Sequence, residues 1–389
     1  MGAAAGLTVA GLKGLHAAAE RHVGDEKVPG LVALVARGGQ VHVEALGRLA
    51  VGGPPVTRDS IFRIASTTKP ITAAVTLAVA AEGLIKLDEP VHRLLPELAG
   101  RRVLRSMDGP LDDTVPAARS ITVRDLLTFT FGFGMVGEMF AAPTPWPVVA
   151  ATRELRLATI GPPDPPMPPD PDTWIAALGS LPLLAQPGER WMYNTGAQVL
   201  GVLVARATAQ PFSEVLRTRV FEPLGMPDTG FWAADTHRLA TAYQPATGGL
   251  VVRDEPGGKW SRPPQFGDGA AGLVSTADDL LVFARMLLRG GAPVLPADAV
   301  RAMTTDQLTP AQKARGGLLP GFFHGRSWGF CQAVYDSGAF GWDGGLGTSW
   351  LVDPSRDLTV IVLTQRMFEN PDPPQVHRDI QAAAYAALT

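Results

Sequence analysis

The placement of the strand-forming segments constrains this chain more than any other feature. Two runs near its start, Leu31 to Arg37 and Val41 to Leu46, are joined by Gly38-Gly39, a hairpin signal. The other strand-like runs lie far away, at Ser327 to Tyr335, Gly347 to Val352 and Leu358 to Thr364, with Asp353-Pro354-Ser355 as a turn between the last two. Helical patterns fill much of the space between, at Val123 to Thr128, Thr195 to Thr208 and Phe212 to Leu224. Further helices are predicted over 8–23, from a capped start at Ser275-Thr276 to Leu288, and from Pro374 to Leu388. Strands at both ends with helices between them predict an α/β (α+β) protein. One sheet domain would be built from residues 1–90 and 271–389, with a mainly helical domain, 91–270, inserted.

Composition narrows the class. A chain of 389 residues with 46% hydrophobic residues can bury a sizeable core, and its 43 glycines and 35 prolines indicate a loop-rich body. A net charge of −3 argues against a general nucleic-acid binder. The lone Cys331 cannot form an intramolecular disulfide and reads as a buried packing thiol. Met1 to Gly6 shows no basic leader and no myristoylation pattern. The longest clean apolar helical run, Pro70 to Ala81, is too short to span a bilayer. A soluble cytoplasmic protein without a membrane or nucleic-acid partner is expected. Between Pro162 and Pro171 seven of ten residues are proline, which predicts a stiff extended surface loop. The alternatives are a wall or lid over a cleft, or a ligand for a proline-reading module.

Nucleophile elbows, zinc signatures and phosphate loops are absent, so no metal or cofactor is expected. Ser66-Thr67-Thr68-Lys69 stands out because an apolar strand-like segment precedes it and a helical run follows. At i and i+3 on a helix the serine and the lysine face one side and can share a proton. A helix start also favours an alkoxide and disfavours an ammonium. With 12 serines and six lysines, chance supplies such a spacing roughly 0.2 times in this length. A serine cap followed by a solvent-facing lysine is therefore the competing reading, and context must decide.

Phe62-Arg63-Ile64-Ala65-Ser66-Thr67-Thr68-Lys69 resembles the nucleophile segment of class C β-lactamase-like serine hydrolases, a family that also holds D-Ala-D-Ala peptidases and esterases. Three further segments match in the family's order: Ile121 to Thr128, Pro187 to Asn194, and Phe340 to Thr348. The resemblance spans about residues 28–365 and implies a β-lactamase/DD-peptidase-like fold, with an antiparallel sheet flanked by the terminal helices and the active site at the domain interface. It further implies Ser66 as nucleophile, Lys69 as base and Tyr193 as proton relay, with the Ser66 and Gly345 N–H groups as oxyanion hole.

This sequence departs from the peptidase and β-lactamase pattern in two places. The third motif, placed by the resemblance on an edge strand, begins with a carboxylate-binding lysine in those relatives; here it reads Trp342-Asp343-Gly344, similar to the family's esterases. An indole offers an apolar face and one N–H donor but no charge. Asp343 is expected on the opposite strand face. The second motif reads Tyr193-Asn194-Thr195, so the amide that would stand at 195 is missing or shifted to Asn194. Phe129 replaces a histidine common in relatives, either packing near the cleft or lining an acyl pocket. Trp342, Gly344, Asn194 and Phe129 are thus the candidate substrate-binding residues. The expectation is an esterase for short-chain or neutral carboxylic esters, with β-lactamase, D-amino-acid peptidase or amidase, and acyltransferase as alternatives. A small-molecule ester is the expected partner; the oligomeric state is not readable.

Overall fold

A computed structural model describes residues 6–388. Met1 to Ala5, on which most of the leader and lipid reading rests, lie outside the described residues. Strands β1 (Gly30–Arg37), β2 (Gln40–Gly47), β3 (Arg326–Trp328), β4 (Ala333–Tyr335), β5 (Phe340–Gly344), β6 (Thr348–Asp353) and β7 (Leu358–Thr364) form one sheet in the order β2-β1-β7-β6-β5-β4-β3. All neighbours pair antiparallel. The two chain ends meet where β1 pairs β7, in a register that sets Leu31 opposite Thr364 and Arg37 opposite Leu358.

β1 and β7 are apolar on both faces because both faces are covered. Leu31, Ala33 and Val35 pack with helices α1 (Val9–Glu20) and α6 (Gln375–Ala386), through Leu15, Ala19, Val376 and Ile380. Val32, Leu34 and Ala36 turn to the main core, which also takes residues from α2 (Thr68–Ala81), α3 (Val123–Leu127), α4 (Thr195–Thr208) and α5 (Ala277–Leu288). Continuous apolar strands of this kind are the signature of two-sided burial. Among the described residues no helix is long and apolar enough to cross a membrane.

Two expectations from local pattern and one from the resemblance need correction. Ser327 to Tyr335 is not one strand: it breaks into β3 and β4 around Cys331, whose φ of 57° and N–H donation to the Leu127 carbonyl at 2.9 Å fold the chain toward α3. Phe212 to Leu224 is interrupted by a π-helical stretch, Arg217–Phe221. β5 is not a sheet edge, since β4 and β6 flank it. β4, however, pairs only Phe340 and Gly341, so the side of Trp342–Gly344 turned away from β6 carries no strand.

α2 is buried from Thr68 through Val79, which makes it the central helix of the main core. The turn before it is tied down from several directions. Phe62–Arg63 pairs with Val274–Ser275, the Ile64 N–H donates to the Leu273 carbonyl at 3.0 Å, and the Thr348 hydroxyl of β6 donates to the Ile64 carbonyl at 2.9 Å. Arg63 is buried with Asp254, its Nε 2.9 Å from the carboxylate. Gly344 explains itself here: a Cβ would overlap the Ile64 carbonyl and the Thr348 hydroxyl, so β5 can approach this turn only without a side chain. At Gly345 a Cβ would meet nothing within 4 Å. Gly344→Ala is therefore expected to lower stability in urea unfolding by about 1–3 kcal/mol, the usual penalty for overpacking. Gly345→Ala should stay within about 0.5 kcal/mol of the unsubstituted protein.

Candidate active site

Ser66 sits in a single 3-10 turn, Ala65–Thr67, that runs straight into α2. Ala65 adopts φ 43°, a left-handed conformation costly for a residue with a Cβ. That kink leaves Ser66 half-buried and facing a cleft. One helical turn later Lys69 is 0% exposed. Its Nζ lies 2.8 Å from Ser66 Oγ and donates to the Ala270 carbonyl at 2.8 Å. A solvent-facing lysine is thereby excluded. Removal from water drives its pKa down to about 7, against the opposing pull of the Asp268 carboxylate.

Tyr193 reaches the same point from the other side. Its backbone exchanges two 2.8 Å hydrogen bonds with Met135, and its ring lies 4.4 Å from Lys69 Nζ. Aromatic rings box it in: Trp191 at 5.6 Å, Phe129 at 5.9 Å and Trp328 at 6.2 Å between centroids. Burial raises the phenol well above the usual tyrosine range and so keeps it neutral, while hydrogen bonds from Ser66 and Trp342 pull the other way. Trp342 Nε1 donates to the Tyr193 hydroxyl at 2.6 Å. The indole thus stands beside the phenol and fixes its orientation.

Three candidate substrate-binding residues are placed differently from the sequence reading. Phe129 is fully buried and does not line the cleft; it packs edge-on behind Tyr193. Gly344 packs against the turn that carries Ser66 and does not line the cleft. Asn194 does reach the cleft, but its amide donates to the Thr159 carbonyl at 3.0 Å. The residue sits at φ 86°, ψ −65°, with the Thr195 N–H donating to the Tyr193 carbonyl at 3.3 Å, a γ-turn of the rare strained kind. At 195 itself a buried threonine bonds to the Thr159 hydroxyl. Asp343 stands opposite Ser349, which bonds Gln381 of α6, so the pair lies on the outer sheet face; Asp343 also reaches the cleft rim.

The cleft has a volume of about 460 Å³. Met135, Phe140, Leu318, Leu346, Met367 and Phe368 make much of its wall apolar. Pro162 and Pro163 belong to that wall, so part of the proline-rich loop bounds the site; Arg253 holds it by donating to the Pro163 carbonyl at 3.1 Å. Gly345 opens into the cleft, and among the described residues its N–H has no acceptor. The Ser66 N–H lies at the opening of the helical turn, where donors lack intrahelical acceptors. Asp268 was not readable from the sequence. Its buried carboxylate accepts from the Ala270 N–H at 2.7 Å and from Gln198 at 3.2 Å, and burial raises its pKa. Only the glycine-rich run Gly267-Asp268-Gly269 hinted that the backbone there approaches something closely.

Known proteins share this arrangement of chain and fold. The family model Beta-lactamase matches residues 15–385. An uncharacterized protein of Mycobacterium tuberculosis (strain CDC 1551 / Oshkosh) is 39% identical over 336 residues, covering 80% of this chain and 79% of that one. Esterase EstB of Burkholderia gladioli is 31% identical over 384 residues, covering 91% and 90%. The solved structure of EstCE1, described as a hydrolase with promiscuous acyltransferase activity, has the same fold, with a TM-score of 0.82 at 23% identity over 97% of this chain and 100% of that one. With a serine and a tyrosine lining one cleft, a buried lysine set against both, and a family match over nearly the whole length, the chain belongs to the β-lactamase family of serine hydrolases.

Proposed function

We propose that this protein is an esterase that cleaves short-chain or neutral carboxylic esters through an acyl-enzyme on Ser66. The observation that carries the reading is the Trp342 indole, bonded to the Tyr193 hydroxyl at 2.6 Å, in the motif position where a carboxylate-binding cation would stand. The apolar cleft wall supports the same choice, and so does the likeness to Esterase EstB.

The chemistry follows from the protonation states. Neutral Lys69 takes the Ser66 proton as Oγ attacks the ester carbonyl carbon. The Ser66 and Gly345 N–H groups receive the developing oxyanion, each such donor typically contributing about 3 kcal/mol of barrier lowering. Tyr193, neutral and oriented by Trp342, gives its proton to the departing alkoxide and recovers one from the Lys69 ammonium. Water then attacks the acyl-enzyme by the reverse route and frees the acid. Acyl transfer to an alcohol in place of water is the second reading, favoured by the apolar wall and by the likeness to EstCE1.

Turnover of p-nitrophenyl acetate or butyrate should be measurable and should vanish in Ser66→Ala. Nitrocefin and D-alanyl amides should react more slowly than these esters; equal or faster amide rates would sink the assignment. Since the Lys69 pKa lies near 7 rather than 10.5, the base is neutral above that value and protonated below it. The expected kcat/KM profile therefore drops about tenfold per pH unit on the acid side of about pH 7. A flat profile through that region would remove Lys69 as base. Trp342→Phe keeps the aromatic packing but deletes the N–H on Tyr193, and kcat should fall by about tenfold, the value of one buried hydrogen bond.

A further inference from the structure

The turn that presents the Gly345 N–H is gripped from beneath by residues that no step of the mechanism uses. The Gly345 N–H and the Gly344 carbonyl belong to one planar trans peptide, so they point in opposite directions. The Gly344 carbonyl accepts from the Gly347 N–H at 2.9 Å, which means that whatever fixes Gly347 also aims the Gly345 N–H. Three donors converge on the Gly347 carbonyl: the Thr364 N–H at 2.9 Å, the Thr364 hydroxyl at 2.8 Å and His377 Nε2 at 3.2 Å. His377 lies on α6 and is fully buried. Its ring meets Phe368 at 5.4 Å, and the Phe368 N–H donates to the Gly345 carbonyl at 2.8 Å.

A carbonyl can only accept, so His377 carries its proton on Nε2. Nδ1 is then a bare acceptor, and it has no partner among the described residues. Burial lowers the imidazole pKa, consistent with that neutral form. For packing alone, an apolar side chain would fill this space without leaving a buried nitrogen unsatisfied. What histidine adds is the Nε2–H on Gly347. We propose that His377 is a positioning residue, which aims the Gly345 N–H at the reacting oxygen through Gly347. This rests on the reading of Gly345 as an oxyanion donor.

The rate at which a fluorophosphonate labels Ser66 tests the idea without needing the natural ester. Oγ bonds to phosphorus, fluoride leaves, the base takes the proton, and negative charge builds on the phosphoryl oxygen. His377→Leu should label about ten- to a hundredfold more slowly, the range for a misplaced oxyanion donor. His377→Gln, which restores an N–H donor, should stay within about threefold of the unsubstituted protein. Ester kcat should fall with the labelling rate while KM holds. Unchanged labelling of His377→Leu, or equal slowing in His377→Gln, would overturn the proposal. Thr364→Val deletes another donor to the same carbonyl and decides the matter where His377→Leu does not fold: slower labelling supports the grip, and an unchanged rate overturns it. An unsubstituted protein that does not label at all removes both Ser66 as nucleophile and the positioning role. One that labels but turns over no ester removes the esterase reading alone.

Discussion

Burial of the Lys69 ammonium is the constraint on which the rest of the structure depends. A fully buried amine without compensation is costly, and the protein meets that cost by letting the charge go rather than by pairing it tightly. The Ala270 carbonyl and the Ser66 oxygen satisfy its polar demands, and the Tyr193 ring closes one side. Asp268 acts as a brake: without a nearby carboxylate, desolvation would carry the lysine still lower. The balance leaves an amine able to accept a proton near neutral pH and give it back. Such a balance requires a helix buried on every side at its start, and α2 runs through the main core for this reason.

The aromatic residues around Tyr193 set the state of the phenol as burial sets that of the amine. A phenol packed between Phe129, Trp191 and Trp328 has little solvent to stabilise a phenolate, so it stays neutral, as the proposed proton relay requires. Trp342 completes the box and contributes the single directional bond that orients the hydroxyl. Had a lysine stood there, its charge would both attract substrate carboxylates and pull the tyrosine toward ionisation. Under the proposed function the indole bears on selectivity and proton transfer together, which links the departure at the third motif to the apolar cleft wall.

What was legible in the sequence is what depends on near neighbours. Ser66 and Lys69 are three residues apart on one helical turn, and the strands near the two chain ends announce themselves by composition. Asp268, Gly344 and His377 meet partners far away in sequence, so their surroundings follow from packing that no local pattern encodes. Cys331 shows the same rule in reverse. Ser327 to Tyr335 has strand composition throughout, yet long-range hydrogen bonds from Cys331 to Leu127 and from Phe330 to Met303 hold it as two strands. Phe129 stays open between packing and cleft lining at the level of sequence, because an aromatic residue beside such a motif can face the cleft or back the residues that do; the structure selects packing.

Backbone strain gathers around the site: Ala65 at φ 43°, Phe129 at φ 60° and Asn194 at φ 86° are all non-glycine residues held in the left-handed half of conformational space. Each lies beside or behind a residue of the cleft, and each is followed or preceded by long-range bonds that leave it no alternative. Ile64 is tied to Leu273 and Thr348, the Phe129 carbonyl accepts from Met192, and Asn194 is anchored to Thr159. The sheet closed by both chain ends supplies the rigidity against which that strain is held, because the strand bearing Thr364 and Thr348's partner Leu363 is buried on both faces. Three non-glycine residues at positive φ around one cleft need such a frame, because without it each would relax to lower-energy backbone geometry.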